Sequence, residues 1–84
     1  MKVELAQLAG RDHDTAYNLQ RALAAIAACA ADTQMIVFPE THLMGFPNAE
    51  TVAQIAEPLD GPTVSAVLGA ARERNIAVVV GMAE

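Results

Sequence analysis

The sequence has no tryptophan, one tyrosine, two phenylalanines and a single cysteine among 84 residues. Large rings are scarce, and alanine, which contributes little area per side chain, supplies much of the apolar fraction, so any core is thin. One cysteine, Cys29, excludes an internal disulfide framework, and no Cys/His cluster has the spacing of a zinc site. Five cations (Lys2, Arg11, Arg21, Arg72, Arg74) stand against ten acids, and they are scattered rather than striped. A net charge of −5 makes this surface a poor partner for nucleic acid. No apolar stretch approaches the roughly 18 to 20 residues of a membrane span. The chain opens on a strand-like segment instead of a basic region followed by an apolar run. These absences suit a cytoplasmic, non-exported protein without metal, cofactor or membrane association.

What is present favours burial: 54% of the residues are apolar and 18% charged, which argues against disorder. The length suits one small domain or a piece of a larger one. A chain this short buries about 60 to 65% of its extended surface, so it is marginal without disulfides, metal or association.

Val3 to Leu8 reads as a strand closed by Gly10 and a polar turn through Arg11, Asp12, His13 and Asp14. From about Asp14 to Ala31, the apolar Ala16, Leu19, Leu23, Ile26, Ala27 and Ala30 step by three and four, the spacing of one helix face. Asp12 or Asp14 can cap its first turn. Met35 to Phe38 is a continuous apolar run ended by Pro39, which suits a strand covered on both faces. A loop should cover Thr41 to Asn48, and Ala49 to Ala56 can form a short helix stopped by Pro58. Gly61-Pro62 starts a further helix that buries Val64, Val67, Leu68 and Ala71 and ends near Asn75. Ile76 to Gly81 is the strongest strand signal.

The order strand, helix, strand, optional short helix, helix, strand predicts an α/β layer of about three mostly parallel strands joined by right-handed crossovers, with helices on one face. The opposite apolar face then needs a cover, from self-association or a partner chain.

Ligands of open α/β sheets bind beyond the carboxyl ends of the strands, and Glu40 lies two residues past Phe38. Hemmed by Phe38, Pro39, Leu43, Met44 and Phe46, it would be partly desolvated and suited to general-base work. A solvated loop glutamate or a helix cap is the plainer alternative. Met35 to Glu40 followed by Gly45-Phe46 resembles the carbon–nitrogen hydrolases of the nitrilase superfamily, in which an apolar run enters Pro-Glu and a Gly-aromatic pair follows. Val3 to Gln7 with Asn18-Leu19 is similar to that family's opening strand and first helix. Glu57 to Pro62, Ala71 to Arg74 and Ile76 to Gly81 are similar to its second helix and next strand. The likeness covers essentially the whole chain.

The resemblance implies a partial α-β-β-α sandwich, with residues 1–84 as the N-terminal part of an incomplete hydrolase domain. It also implies Glu-Lys-Cys chemistry on amide, carbamoyl or nitrile carbon–nitrogen bonds, with Glu40 as general base. The small-molecule substrate would be bound only in the complete enzyme. Lys2 precedes the first strand, where that family's lysine does not lie, and Cys29 precedes the Glu-bearing strand, so it reads as a buried structural thiol. The chain alone is therefore expected to be inactive. His42 is a weaker candidate to touch substrate, and His13 a solvated turn residue. Asn18 and Gln7 should have satisfied internal hydrogen bonds, and Arg72 to Arg74 reads as the solvated end of a helix. Glu84 falls where some amidase-like members carry an acid. The competing reading is a truncated paralogue or split subunit that docks through its apolar sheet face. A flavodoxin-like or nucleotide-binding half domain is disfavoured by the lack of a Gly-x-Gly-x-x-Gly turn.

Overall fold

The computed structural model describes residues 1–45 and 56–82. Along the chain run β1 (Val3–Leu5), α1 (Thr15–Ala28), β2 (Met35–Val37), α2 (Pro62–Arg74) and β3 (Ala77–Val79). The short helix expected over 49–56 falls almost wholly outside the described residues.

The strands lie in the order β1-β2-β3, both pairs parallel. Their register aligns three rows: Val3 with Met35 and Ala77, Glu4 with Ile36 and Val78, Leu5 with Val37 and Val79. Because side chains alternate along a strand, the middle row faces one side and the outer rows the other. Ile36 and Val78 join the core with Ala22, Ile26, Phe38, Leu43, Met44 and Val67, and the two helices pack on each other over this side. The opposite side is open, leaving Val3 44%, Leu5 70% and Val79 49% exposed.

The ladders are shorter than the apolar runs that form them. The β1–β2 ladder extends by Gln34 N–H to Lys2 O at one end and Ala6 N–H to Val37 O at the other (2.9 and 2.8 Å), and the β2–β3 ladder by Ala77 N–H to Gln34 O and Phe38 N–H to Val79 O (both 2.9 Å). Pro39, which has no N–H, then ends the pairing.

Helix α1 begins at Asp14, whose carboxylate accepts the Tyr17 N–H (3.1 Å), and stops at Ala28 because Cys29 is extended. Its buried residues are Asn18, Ala22 and Ile26, spaced by four, with Leu19 and Ala25 beside them. Ala16 and Ala27, counted on the apolar face from spacing, are exposed.

Three charged side chains tie elements together. Arg74 is half-buried instead of solvated, and its guanidinium donates to the carbonyls of Ala27, Cys29 and Ala30 at the end of α1. There a cation also opposes the helix dipole. Glu4 accepts from the Ala30 N–H (3.1 Å) and the Thr33 hydroxyl (2.7 Å) just beyond. At α2 the cap residue Gly61 has no side chain to offer. Glu57 substitutes, accepting the Thr63 N–H at 3.3 Å and its hydroxyl at 2.6 Å.

Asn75 closes α2 in the left-handed conformation, its N–H on the Ala71 and Arg72 carbonyls. Val67 of the expected face is buried, but Leu68 is 56% exposed, on an apolar groove shared with Leu59, Ile76 and Val80. None of the described helices is long and apolar enough to cross a membrane.

Asn18 is fully buried, and its side chain makes three bonds: Oδ1 accepts the Arg11 N–H (2.7 Å), and Nδ2 donates to the carbonyls of Arg11 (2.8 Å) and Leu43 (3.2 Å). Gln7, expected to be satisfied internally as well, is instead exposed. Asn18→Leu keeps the branched shape but is larger and strands these partners, and should cost about 2–4 kcal/mol in urea unfolding. Gln7→Ala should stay within about 0.5 kcal/mol of the parent.

Candidate active site

Parallel strands leave the sheet in one direction, so the segments following β1 and β2 meet at a common edge. After Pro39 the chain turns tightly: the His42 N–H donates to Pro39 O (3.2 Å) and the Gly45 N–H to Thr41 O (2.8 Å). Thr41 and Gly45 both have positive φ, 46° and 73°. A Cβ on Gly45 would sit 2.5 Å from Asp12 Cα, so glycine is what lets this turn close on the β1–α1 loop. The His13 N–H donates to Met44 O (2.9 Å) and completes the contact.

Between the two loops lies an open cavity of about 190 Å³, walled by Leu8 and Gly10 on one side and Pro39 to His42 on the other, with Asp12 and Gly45 at its edge. Glu40 is exposed on this rim. The partial desolvation expected for it is not found. The left-handed residue at 41 reverses the chain, sending His42, Leu43 and Met44 inward to burial and leaving residue 40 outside.

His42 is 3% exposed and stacks on Phe38, ring centroids 5.5 Å apart and planes 20° from parallel. Its Nε2 is buried without a hydrogen-bond partner among the described residues, as is the Thr41 hydroxyl. Burial pushes the imidazole below its ordinary value, with the Arg21 charge adding to the effect and a hydrogen bond to the Asn18 backbone opposing it.

The other reactive groups are elsewhere. Cys29 is a buried free thiol bonded to Ile26 O (3.1 Å). It lies at the far end of α1 from the cavity, about 20 Å along a helix of this length. Lys2 pairs with Asp32 (2.9 Å) before the first strand, at the opposite edge of the sheet. Glu84 and Phe46 fall outside the described residues. Among the described residues no group of three or more His, Cys, Asp or Glu could hold a metal ion. Sequence reasoning missed Asp12 and Thr41 as cavity residues. Nothing in composition marks Asp12, whereas a glycine at 45 was a sign of close backbone approach.

The sequence model of the carbon–nitrogen hydrolases matches residues 2–84. The chain belongs to the carbon–nitrogen hydrolase family. It is 61% identical over 84 residues to an (R)-stereoselective amidase of a Pseudomonas species, a match covering all of this chain and 31% of that protein. A hydrolase of Mycobacterium tuberculosis (strain H37Rv) is 39% identical over 85 residues, covering 98% of this chain and 29% of that protein. Among solved structures, a CN-hydrolase superfamily protein of Xanthomonas campestris with an arsenic adduct in its active site superposes with a TM-score of 0.84 at 31% identity. That match covers 95% of this chain and 29% of the other. The chain thus spans about three tenths of the length of these relatives. The three parallel strands and two helices of the described residues are part of the carbon–nitrogen hydrolase fold.

The buried imidazole carries a pH signature. An unfolded histidine protonates near 6.5 while the folded one resists until lower pH, so the unfolded state takes up protons first as pH falls. The stability associated with neutral His42 is complete above about pH 6.5 and is lost as pH drops from there toward the depressed folded value. The urea midpoint should therefore fall between pH 7.5 and 5.5, and fall less in His42→Phe, which keeps a ring against Phe38. Equal falls in both proteins would refute this role.

Proposed function

We propose that this chain is the N-terminal portion of an amidase-type hydrolase and supplies its general base, Glu40. The lysine and nucleophilic cysteine would come from outside these 84 residues. The observation that carries the reading is the place of Glu40 on a cavity rim at the carboxyl edge of a parallel sheet. Kinship to an amidase favours an amide over a carbamoyl or nitrile substrate.

In this reading the Glu40 carboxylate takes the thiol proton as sulfur attacks the amide carbon, and the lysine ammonium offsets the charge on the tetrahedral oxygen. Glu40 then gives the proton to the departing amine, leaving a thioester. Water enters, loses a proton to Glu40 and attacks the acyl carbon; the carboxylic acid departs and the proton returns to sulfur. His42 lines the same cavity at 3% exposure, so its proposed share in substrate contact is confined to a narrow edge. A cytoplasmic setting is proposed with it, supported by the free, buried Cys29.

Reconstituted with the segment that carries lysine and cysteine, as one polypeptide or as two chains, Glu40→Gln should lower kcat/KM for simple amides by about 10²- to 10⁴-fold without changing the urea midpoint. A rate equal to the parent's would remove Glu40 from the chemistry.

The open sheet face favours association in this reading and in the alternative of a non-catalytic docking subunit, because Leu5 presents 70% of its surface there. The isolated chain should elute from gel filtration as concentration-dependent oligomers and show no amide hydrolysis. Leu5→Lys should shift it to monomer. A clean parent monomer that hydrolyses amides would overturn both the association and the need for outside residues.

A further inference from the structure

The backbone that follows β3 runs directly against the backbone that follows β2. A Cβ built on Gly81 would lie 2.8 Å from the Thr41 nitrogen, 3.5 Å from Thr41 Cα and 3.8 Å from the Glu40 carbonyl carbon. Real Cβ atoms essentially never approach to 2.8 Å, and the atom met is main chain, which cannot swing aside as the tip of a side chain can.

Thr41 itself is held in two unfavourable states. It is β-branched at φ 46°, a region such residues rarely occupy, and its hydroxyl is buried without a hydrogen-bond partner among the described residues. Such a conformation persists only where the surroundings over-determine it. Here they do so from three sides. The Phe38 N–H donates to Val79 O (2.9 Å) and pins the exit of β2 to β3. The Met44 and Gly45 N–H groups both donate to Thr41 O, at 3.2 and 2.8 Å, and pin the far side. Gly81 fills the remaining side at a spacing that admits no side chain.

We propose that Gly81 is a positioning residue for Glu40: its missing side chain lets the end of β3 brace the Glu40–Thr41 peptide, which keeps Thr41 left-handed and the carboxylate on the cavity rim. The proposal rests on the reading of Glu40 as general base, and it adds the third strand to the parts of the fold that build the site. A misplacement of about 1 Å in a reacting group can cost about 100-fold in rate.

The test is Gly81→Ala in the reconstituted enzyme, with Gly69→Ala, which adds its methyl to open space on α2, as the control. Two readouts are taken. The first is kcat and KM for a simple amide; the second is the intraresidue amide–Hα NOE of Thr41, which is strong at positive φ because the two protons are then close. Gly81→Ala should lower kcat by about 100-fold with KM within about threefold, and should weaken the Thr41 NOE. Gly69→Ala should change neither. A Gly81→Ala enzyme that keeps the parental kcat and the strong NOE overturns the proposal.

If Glu40→Gln leaves kcat untouched, the assignment of the base has failed, and the NOE alone then decides whether Gly81 sets the conformation at 41. Should Gly81→Ala not fold, the same change is made together with Thr41→Gly, which lets the turn move without strain. That protein should fold with kcat still depressed relative to Thr41→Gly alone, and parental kcat in the double variant would equally overturn the proposal.

Discussion

The carboxamide of Asn18 is the fixed point from which the rest of the site hangs. It grips Arg11 through both its N–H and its carbonyl, and Leu43 through its carbonyl, so one buried side chain on α1 holds the loop after β1 and the loop after β2 together. A buried amide with its bonds satisfied adds direction that apolar contact lacks, because each partner must sit at one distance and angle. The cavity lies between the two loops so joined. Gly45 against Asp12 and the His13 to Met44 bond extend the same seam. The placement of Glu40 thus depends on an amide on a different element as well as on the turn at Thr41 beside it.

Where the sequence was legible, local chemistry and fold agreed. Pro39 ended one strand and Pro62 opened a helix because the proline backbone has few alternatives, Asn75 closed that helix because asparagine tolerates the left-handed conformation, and Asp14 capped the first helix through its carboxylate. The order of elements, with helices on one face of about three strands, gave the expectation that the other face would lie bare, as Leu5 and Val79 do. The strand-end position of Glu40 was legible for the same reason, since it follows from connectivity alone. Asn18 was legible too, as a polar residue on a buried face that must find partners.

What could not be read depended on long-range geometry. The solvated end assigned to Arg74 became a cap on another helix, more than 40 residues away in sequence. Glu57 took over a cap that Gly61 cannot make. Leu68 met the spacing of a buried face but faces a groove that no described element fills. The desolvation expected for Glu40 was inferred from apolar neighbours in the sequence. One left-handed residue, Thr41, sent Leu43 and Met44 inward and left Glu40 exposed. A single backbone angle thus separated residues that composition had grouped together, and neither propensity nor periodicity marks a threonine as its site.

That separation has a chemical meaning. His42 is buried by this chain itself, so its charge state is set here. Glu40 is exposed, and a general base that works on a thiol gains from a site stripped of bulk water. The chain fixes where the carboxylate stands, through Asn18 and the turn at Thr41, but leaves water around it and an apolar sheet face beside it. In the proposed reading both deficits have the same remedy, because a segment packed on the outer rows of the sheet could also wall the cavity at the sheet's edge. In the proposed reading, positioning and desolvation of the base would belong to different stretches of polypeptide. If Glu40 is the base as proposed, docking and catalytic competence would become one event, with the covering of Val3, Leu5 and Val79 as the driving force and closure of the site around Glu40 as its consequence.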